Sequence, residues 1–379
     1  VVDAKGASLS LAALIKGFQV FQGESQSSQA NKNGNHIQAV ILNRISPMLY
    51  LRMKAVIEKE TGVLVAGYVP ELDFWQVGSR HLGLVLPGEI ENLQEQMRQL
   101  GDCLEKTLDV DVLLKLGEKA DIDVLGSVTV TADGSSQKCE AQKNADLVLQ
   151  NQFAGEKISH SAIPIRLGVA WDEAFCFYYR DNLEFLEKQG VQIVRFSPVH
   201  DKHLPDDLDG LLLGGGYPEL YAKALEENET IRNEIRRKAE EDMPILAECG
   251  GYLYLLKELE DENGTGYEMA GVFSGKGYKK GKNSHFGYIT VQTEKDSLYL
   301  KAGETIKGHE FHYWESTQDE NELKMQAKKP TGKRSWPCVT VKNQVMAGFP
   351  HLYYPSLEGF GERFVQACDR YRMKRKRQQ

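Results

Sequence analysis

The feature that most limits what this chain can fold into is a recurring exchange between short, β-branched apolar runs and segments with helical apolar spacing. That exchange is the signature of parallel strands joined by crossover helices. In the first part, "VVD" and the helical "SLSLAALIKGF" lead to the buried-strand run "AVILNRI" and then to "SPMLYLRMKAVIEKETG". This last segment reads as a helix with Ser46 as N-cap, Pro47 at its first position and Gly62 past its end. "VLVAGYVP" is the next strand, while Gln22 to Asn35 has the polar composition of a loop. From about Pro87 to Ala120 the pattern predicts two helices, and from there to His160 it is polar and weakly patterned.

A second series follows: "IRLGVAW", a helix through "NLEFLEKQG", "VQIVRF", "LDGLLLGGG", a helix from Asn228 to Glu241, and "PILAE". A chain of 379 residues is long enough for two cored domains. The boundary is expected in "FAGEKISHSAIP", dividing residues 1–157 from 158–379. The expected class is α/β with two doubly wound sheets, whose sites form at the carboxyl ends of the strands.

Composition excludes several functions. A formal net charge of -8 argues against nucleic acid as the main partner, and the closing "RYRMKRKRQQ" reads as a solvated helix end. No apolar run is long enough for a membrane span and no signal peptide is visible. Six scattered cysteines without a CxxC pair predict a reducing, cytoplasmic setting.

Against that background "MPILAECGGYLYLL", Met243 to Leu256, stands out. Cys249 sits where an apolar run ends and a glycine pair opens a helix, the position of a nucleophile on a strand-to-helix elbow. The N–H groups from Gly250 and Gly251 onward favour a thiolate and an oxyanion. Gly214, Gly215 and Gly216 end another strand and can add donors to the same pocket. A thiol nucleophile needs a base, and the candidate is His351 in "AGFPHLYYPS" after the strand-like "VTVKNQVMAGF". Each feature alone has an ordinary structural reading: a core cysteine, a glycine turn, one histidine among nine.

The stretch "DEAFCFYYRDNLEFLEKQGVQIVRFSPVHD", with "LPDDLDGLLLGGGYPELYA", "AECGGYLYL", "GHEFHYW" and "HLYY", resembles the cobyrinate a,c-diamide synthase family. "VVDAKGASLSLAALIKGF", "AVILNRI", "GYVP" and "SRHLGLV" extend the resemblance over most of the chain. It implies ATP- and glutamine-dependent amidation of two corrin carboxylates, those of the a and c side chains of cobyrinic acid. Cys249 would attack the glutamine amide, with His351 as proton shuttle and Gly215, Gly216 and Gly250 lining the oxyanion and glutamine site. Other class I amidotransferases carry a Glu two residues after the His; Tyr353 stands there, which leaves a third triad member unassigned.

The resemblance further implies a dethiobiotin-synthetase-like first domain that uses ATP with Mg2+, where Asn43 is the nucleotide candidate, a turn-forming role being the alternative. The family opens with a P-loop, and no GxxxxGK[ST] occurs here; "FSGKGY" and "PTGKRS" lack the flanking residues. We therefore expect the chain to begin inside the synthetase domain, and a homodimer remains open. Ni-sirohydrochlorin a,c-diamide synthase shares these motifs and is the alternative substrate reading; a binding protein with a relic amidotransferase fold is the alternative of another class. In "GHEFHYW", His309 and His312 on a strand would point to opposite faces, so no metal is expected and both are substrate-pocket candidates.

Overall fold

The computed structural model describes residues 1–20, 37–75, 79–80, 83–84, 90–118, 163–280, 285–318 and 323–378. The chain divides into two compact units, Val1–Lys157 and Ile158–Gln379. The stretches Gln22 to Asn35, Ala120 to His160 and most of the expected boundary segment lie outside the described residues.

The first unit is built on three parallel strands, Val2–Asp3, Ala39–Asn43 and Leu64–Val69, side by side in chain order. The helices Ser10–Val20 and Pro47–Thr61 supply Leu11, Ile15, Met53 and Ile57 to a core shared with Val40, Leu42 and Val65. The second of these helices has the ends its sequence specifies. Ser46 accepts a hydrogen bond from the Leu49 N–H, Pro47 occupies the first turn, and Gly62 closes it at φ +71°. Helices Leu93–Thr107 and Val110–Glu118 match the two expected between Pro87 and Ala120.

Among the described residues, the second unit is built on a ten-stranded mixed sheet. Its parallel half runs, in spatial order, Val345–Gly348, Ile245–Glu248, Gly210–Leu213, Ile165–Ala170 and Val191–Phe196. All four residues of Ile245–Glu248 and of Gly210–Leu213 are buried, as central parallel strands covered on both faces must be. Two clusters, one around Leu213, Tyr254 and Phe273 and one around Leu246, Tyr299 and Phe364, contain the buried apolar side chains of these strands.

Two features depart from the sequence reading. The sheet continues antiparallel through Ser335–Lys342, Leu323–Lys328, Phe286–Gln292, Thr305–Phe311 and His351–Leu352. The run "VTVKNQVMAGF" is accordingly two strands joined at Asn343, φ +52°, and not one. The basic terminus is a helix, Phe360–Gln378, yet Arg372 is buried and donates to the Ile163 carbonyl, and Arg375 pairs with Asp209 at 3.1 Å. Those two arginines are anchors to the sheet edge, so the helix end is only partly solvated.

Candidate active site

The strand Ile245–Glu248 delivers Cys249 at its carboxyl end, and the helix Gly250–Leu255 starts at once. Cys249 has φ +50° and ψ −103°, a backbone state that costs a non-glycine residue about 1–3 kcal/mol. It is held there on both sides: its N–H donates to the Gly348 carbonyl at 2.8 Å and its own carbonyl accepts from Leu253 at 3.0 Å. The glycines after it are required by crowding. A Cβ on Gly251 would lie 2.1 Å from the Leu213 carbonyl oxygen, and one on Gly250 would lie 3.0 Å from the Gly216 nitrogen. The Gly251 N–H donates to the Gly214 carbonyl at 2.8 Å, which ties the elbow to the second glycine turn.

That second turn also meets the histidine. His351 lies in the short strand His351–Leu352, three residues beyond the end of the strand parallel to the one carrying Cys249. A Cβ on Gly215 would fall 2.3 Å from His351 Cε1, so the imidazole rests on the bare Gly215 backbone. Gly215–Gly216 therefore has His351 against one residue and the Cys249–Gly250 turn against the other. Tyr178 helps fix this turn: its hydroxyl accepts from the Gly214 N–H at 2.9 Å and donates to the Ala170 carbonyl.

Glu248 is the residue that sequence reasoning missed. One carboxyl oxygen accepts from the Leu352 N–H at 3.2 Å and from the Tyr354 hydroxyl at 3.1 Å; the other lies 4.0 Å from His351 Nδ1. Its only signal in the sequence is an acidic residue closing an otherwise apolar strand run, "PILAE". Tyr353, which stands where other class I amidotransferases have a Glu, points elsewhere and donates to Asp181 at 3.1 Å. Asn182 braces the segment by donating to the Leu352 carbonyl at 2.7 Å and accepting from the Tyr354 N–H at 2.9 Å.

Burial governs the charge states. It raises the Cys249 thiol to about 12, with Glu219, Glu310 and Glu248 adding to the rise and a hydrogen bond from the Gly250 N–H opposing it. The helix start thus favours the thiolate, as its position suggests, but is outweighed by desolvation and nearby carboxyls. Burial, with His309 nearby, depresses His351 to about 4, and burial raises Glu248 to about 8. At neutral pH the resting pair is a thiol and a neutral imidazole, a proton donor and acceptor of the kind a nucleophile–base couple needs.

The remaining candidates fall in different places. His309 faces His351 directly across the antiparallel pairing of Thr305–Phe311 with His351–Leu352. His312, one residue beyond that strand, is buried and stacks on Phe349 at 3.9 Å between ring centroids. Asn43 belongs to the other unit. It ends the Ala39–Asn43 strand, at the carboxyl edge where doubly wound sheets place ligands, and its carbonyl accepts from Ala4 at 2.7 Å.

Residues 166–357 match the CobB/CobQ-like glutamine amidotransferase domain. A cobyrinate a,c-diamide synthase of Caldanaerobacter subterraneus subsp. tengcongensis is 34% identical over 373 residues, 98% of this chain and 74% of that protein. One from Streptococcus sanguinis is 34% identical over 93% of this chain and 70% of its own length. A third, from Salmonella typhimurium, is 37% identical over 83% of this chain and 60% of its own.

Proposed function

The chain belongs to the cobyrinate a,c-diamide synthase family, and from that premise we propose that Cys249 and His351 release ammonia from glutamine to amidate the a and c side-chain carboxylates of cobyrinic acid. It is a glutamine-dependent, amide-forming ligase of cobalamin biosynthesis. The observation that carries the site assignment is the strained Cys249 elbow packed against the same two-glycine strand that seats His351.

The chemistry follows from the placement. Cys249 Sγ attacks the side-chain amide carbon of glutamine while its proton passes to His351. With Nδ1 turned toward Glu248, Nε2 is the nitrogen left to receive it. Negative charge building on the carbonyl oxygen meets N–H groups of Gly215, Gly216 and Gly250. His351 returns the proton to the departing ammonia, then activates water against the thioester, and glutamate leaves with the free thiol restored. Glu248 stabilises the imidazolium in both steps, the part that the Glu two residues after the His plays in other class I sites.

Ammonia would then attack a substrate carboxylate activated by ATP as an acyl phosphate, with phosphate leaving; Asn43 would contribute to the nucleotide site, and Mg2+ would supply charge neutralisation for the phosphates. His309 and His312 do not enter these steps. A cytoplasmic setting is the one that supplies ATP and glutamine together. No helix among the described residues is long and apolar enough to cross a membrane.

The test is Cys249→Ala, assayed for glutamate release from glutamine and for folding by circular dichroism. Loss of hydrolysis with an unchanged fold is expected, as is labelling of Cys249 alone among the cysteines by the glutamine mimic diazo-oxonorleucine. Hydrolysis at the parent rate, or labelling at Cys176, removes Cys249 from the mechanism. Product mass after incubation with a corrin or a nickel sirohydrochlorin substrate separates the two tetrapyrrole readings.

A further inference from the structure

We propose that His285, Glu310 and His312 form a binding site for a divalent transition-metal ion of the zinc class. One ligand atom from each lies within 4.8 Å of the others. The histidine pair that the sequence brings to mind, His309 and His312, is indeed split between faces. Glu310 and His312, two residues apart, share the buried face of the Thr305–Phe311 segment. His285, preceding the neighbouring Phe286–Gln292 strand, joins them from the adjacent strand.

Three observations point to a cation. His312 is 3% exposed, and its Nδ1 donates to the Trp314 carbonyl at 2.6 Å. That bond fixes the tautomer and leaves Nε2 as a bare lone pair; Nε2 is buried and has no hydrogen-bond partner. A backbone carbonyl holding the far nitrogen of a histidine is the arrangement that orients metal-binding imidazoles. Glu310 is 1% exposed and accepts from the Trp336 indole N–H at 2.9 Å. A buried carboxyl beside a buried unpaired imidazole nitrogen is costly unless something positive satisfies both. The same Trp336 stacks on His285 at 4.2 Å between centroids, so one indole positions two of the three candidate ligands.

Two imidazoles and one carboxylate match the preference of zinc, with a fourth position open to water. Bonds of about 2.0–2.1 Å require ligand atoms about 3.4 Å apart in a tetrahedron, so side-chain shifts of at most roughly 1.4 Å close the set. The ion would fasten the Phe286–Gln292 and Thr305–Phe311 strands behind Phe349, the ring on which His312 stacks and which packs at 5.2 Å against Tyr252 of the helix after Cys249. This proposal stands on the cluster itself and does not depend on the glutaminase assignment.

The experiment titrates the full chain, first stripped with a chelator, with zinc chloride against a chromophoric competitor, and follows thermal unfolding with and without the metal. One equivalent bound and a raised Tm are expected. His312→Ala and Glu310→Gln should each weaken binding by about a hundredfold or more and erase the Tm rise. Trp336→Phe, which removes only the indole N–H, should weaken binding by about ten- to a hundredfold. His309→Ala should bind as the parent does and serves as the control for ions held elsewhere. No zinc-dependent Tm rise in the parent, or equal binding in the parent, His309→Ala and His312→Ala chains, overturns the site.

Discussion

Replacing Glu248 by Gln tests whether the carboxyl beside His351 completes the proton-transfer apparatus. The amide keeps the shape and can still accept from Leu352 and Tyr354, but it cannot carry charge. When His351 takes up the thiol proton, an ionised Glu248 lies 4.0 Å from Nδ1. At an effective dielectric constant of about 20 that contact is worth about 4 kcal/mol. Glu248 must first ionise, and with its pKa raised to about 8 by burial this costs about 1 kcal/mol at pH 7. About 3 kcal/mol remains, so glutamine hydrolysis should fall about a hundredfold at pH 7, and the deficit should widen as the parent rate climbs through pH 8. The variant should lack that alkaline rise.

Stability gives a second readout of the same carboxyl. The folded pKa lies above the ordinary value of 4.5, so its contribution is present in full below that value and is lost as pH rises through about 8. Glu248→Gln should therefore flatten the decline of the denaturant midpoint across that window. Steady-state glutamate release from pH 5.5 to 9.5 is the assay. A kcat within threefold of the parent, with the same pH profile, refutes the reasoning.

Other outcomes follow from the packing. Gly215→Ala puts a methyl 2.3 Å from His351 Cε1 and must displace the ring; a shift of about 1 Å should cost about a hundredfold in kcat with little change in Tm, and full activity would mean that His351 does not work from this seat. His351→Asn should slow glutamine hydrolysis by about a hundred- to ten-thousand-fold. His309→Asn removes only a neighbour that helps to depress His351, so its rate should stay near that of the parent while the acid limb of the pH profile moves slightly upward; equal losses in both variants would argue against one dedicated base.

Local signals wrote much of this molecule directly into the chain. Ser46, Pro47 and Gly62 bound their helix because capping and a left-handed closing residue involve only neighbours in sequence. The elbow at Cys249 was legible because a buried strand, a thiol and two glycines are contiguous. The antiparallel half of the sheet was not legible, since its pairing lays segment 286–292 between 305–311 and 323–328 with no fixed local spacing.

What the sequence by itself determined is thus the α/β alternation, the family resemblance, and the choice of Cys249 and His351 with their glycines as the candidate site. The tertiary structure alone decided that Glu248, 103 positions before His351, stands beside it, and that buried Glu310 and His312 meet the part-exposed His285. It also decided the charge states, raising the Cys249 thiol where the helix start by itself would have lowered it. The physical reason is common to all three. Desolvation and side-chain proximity depend on which distant strands are laid side by side, and no local run of residues encodes that.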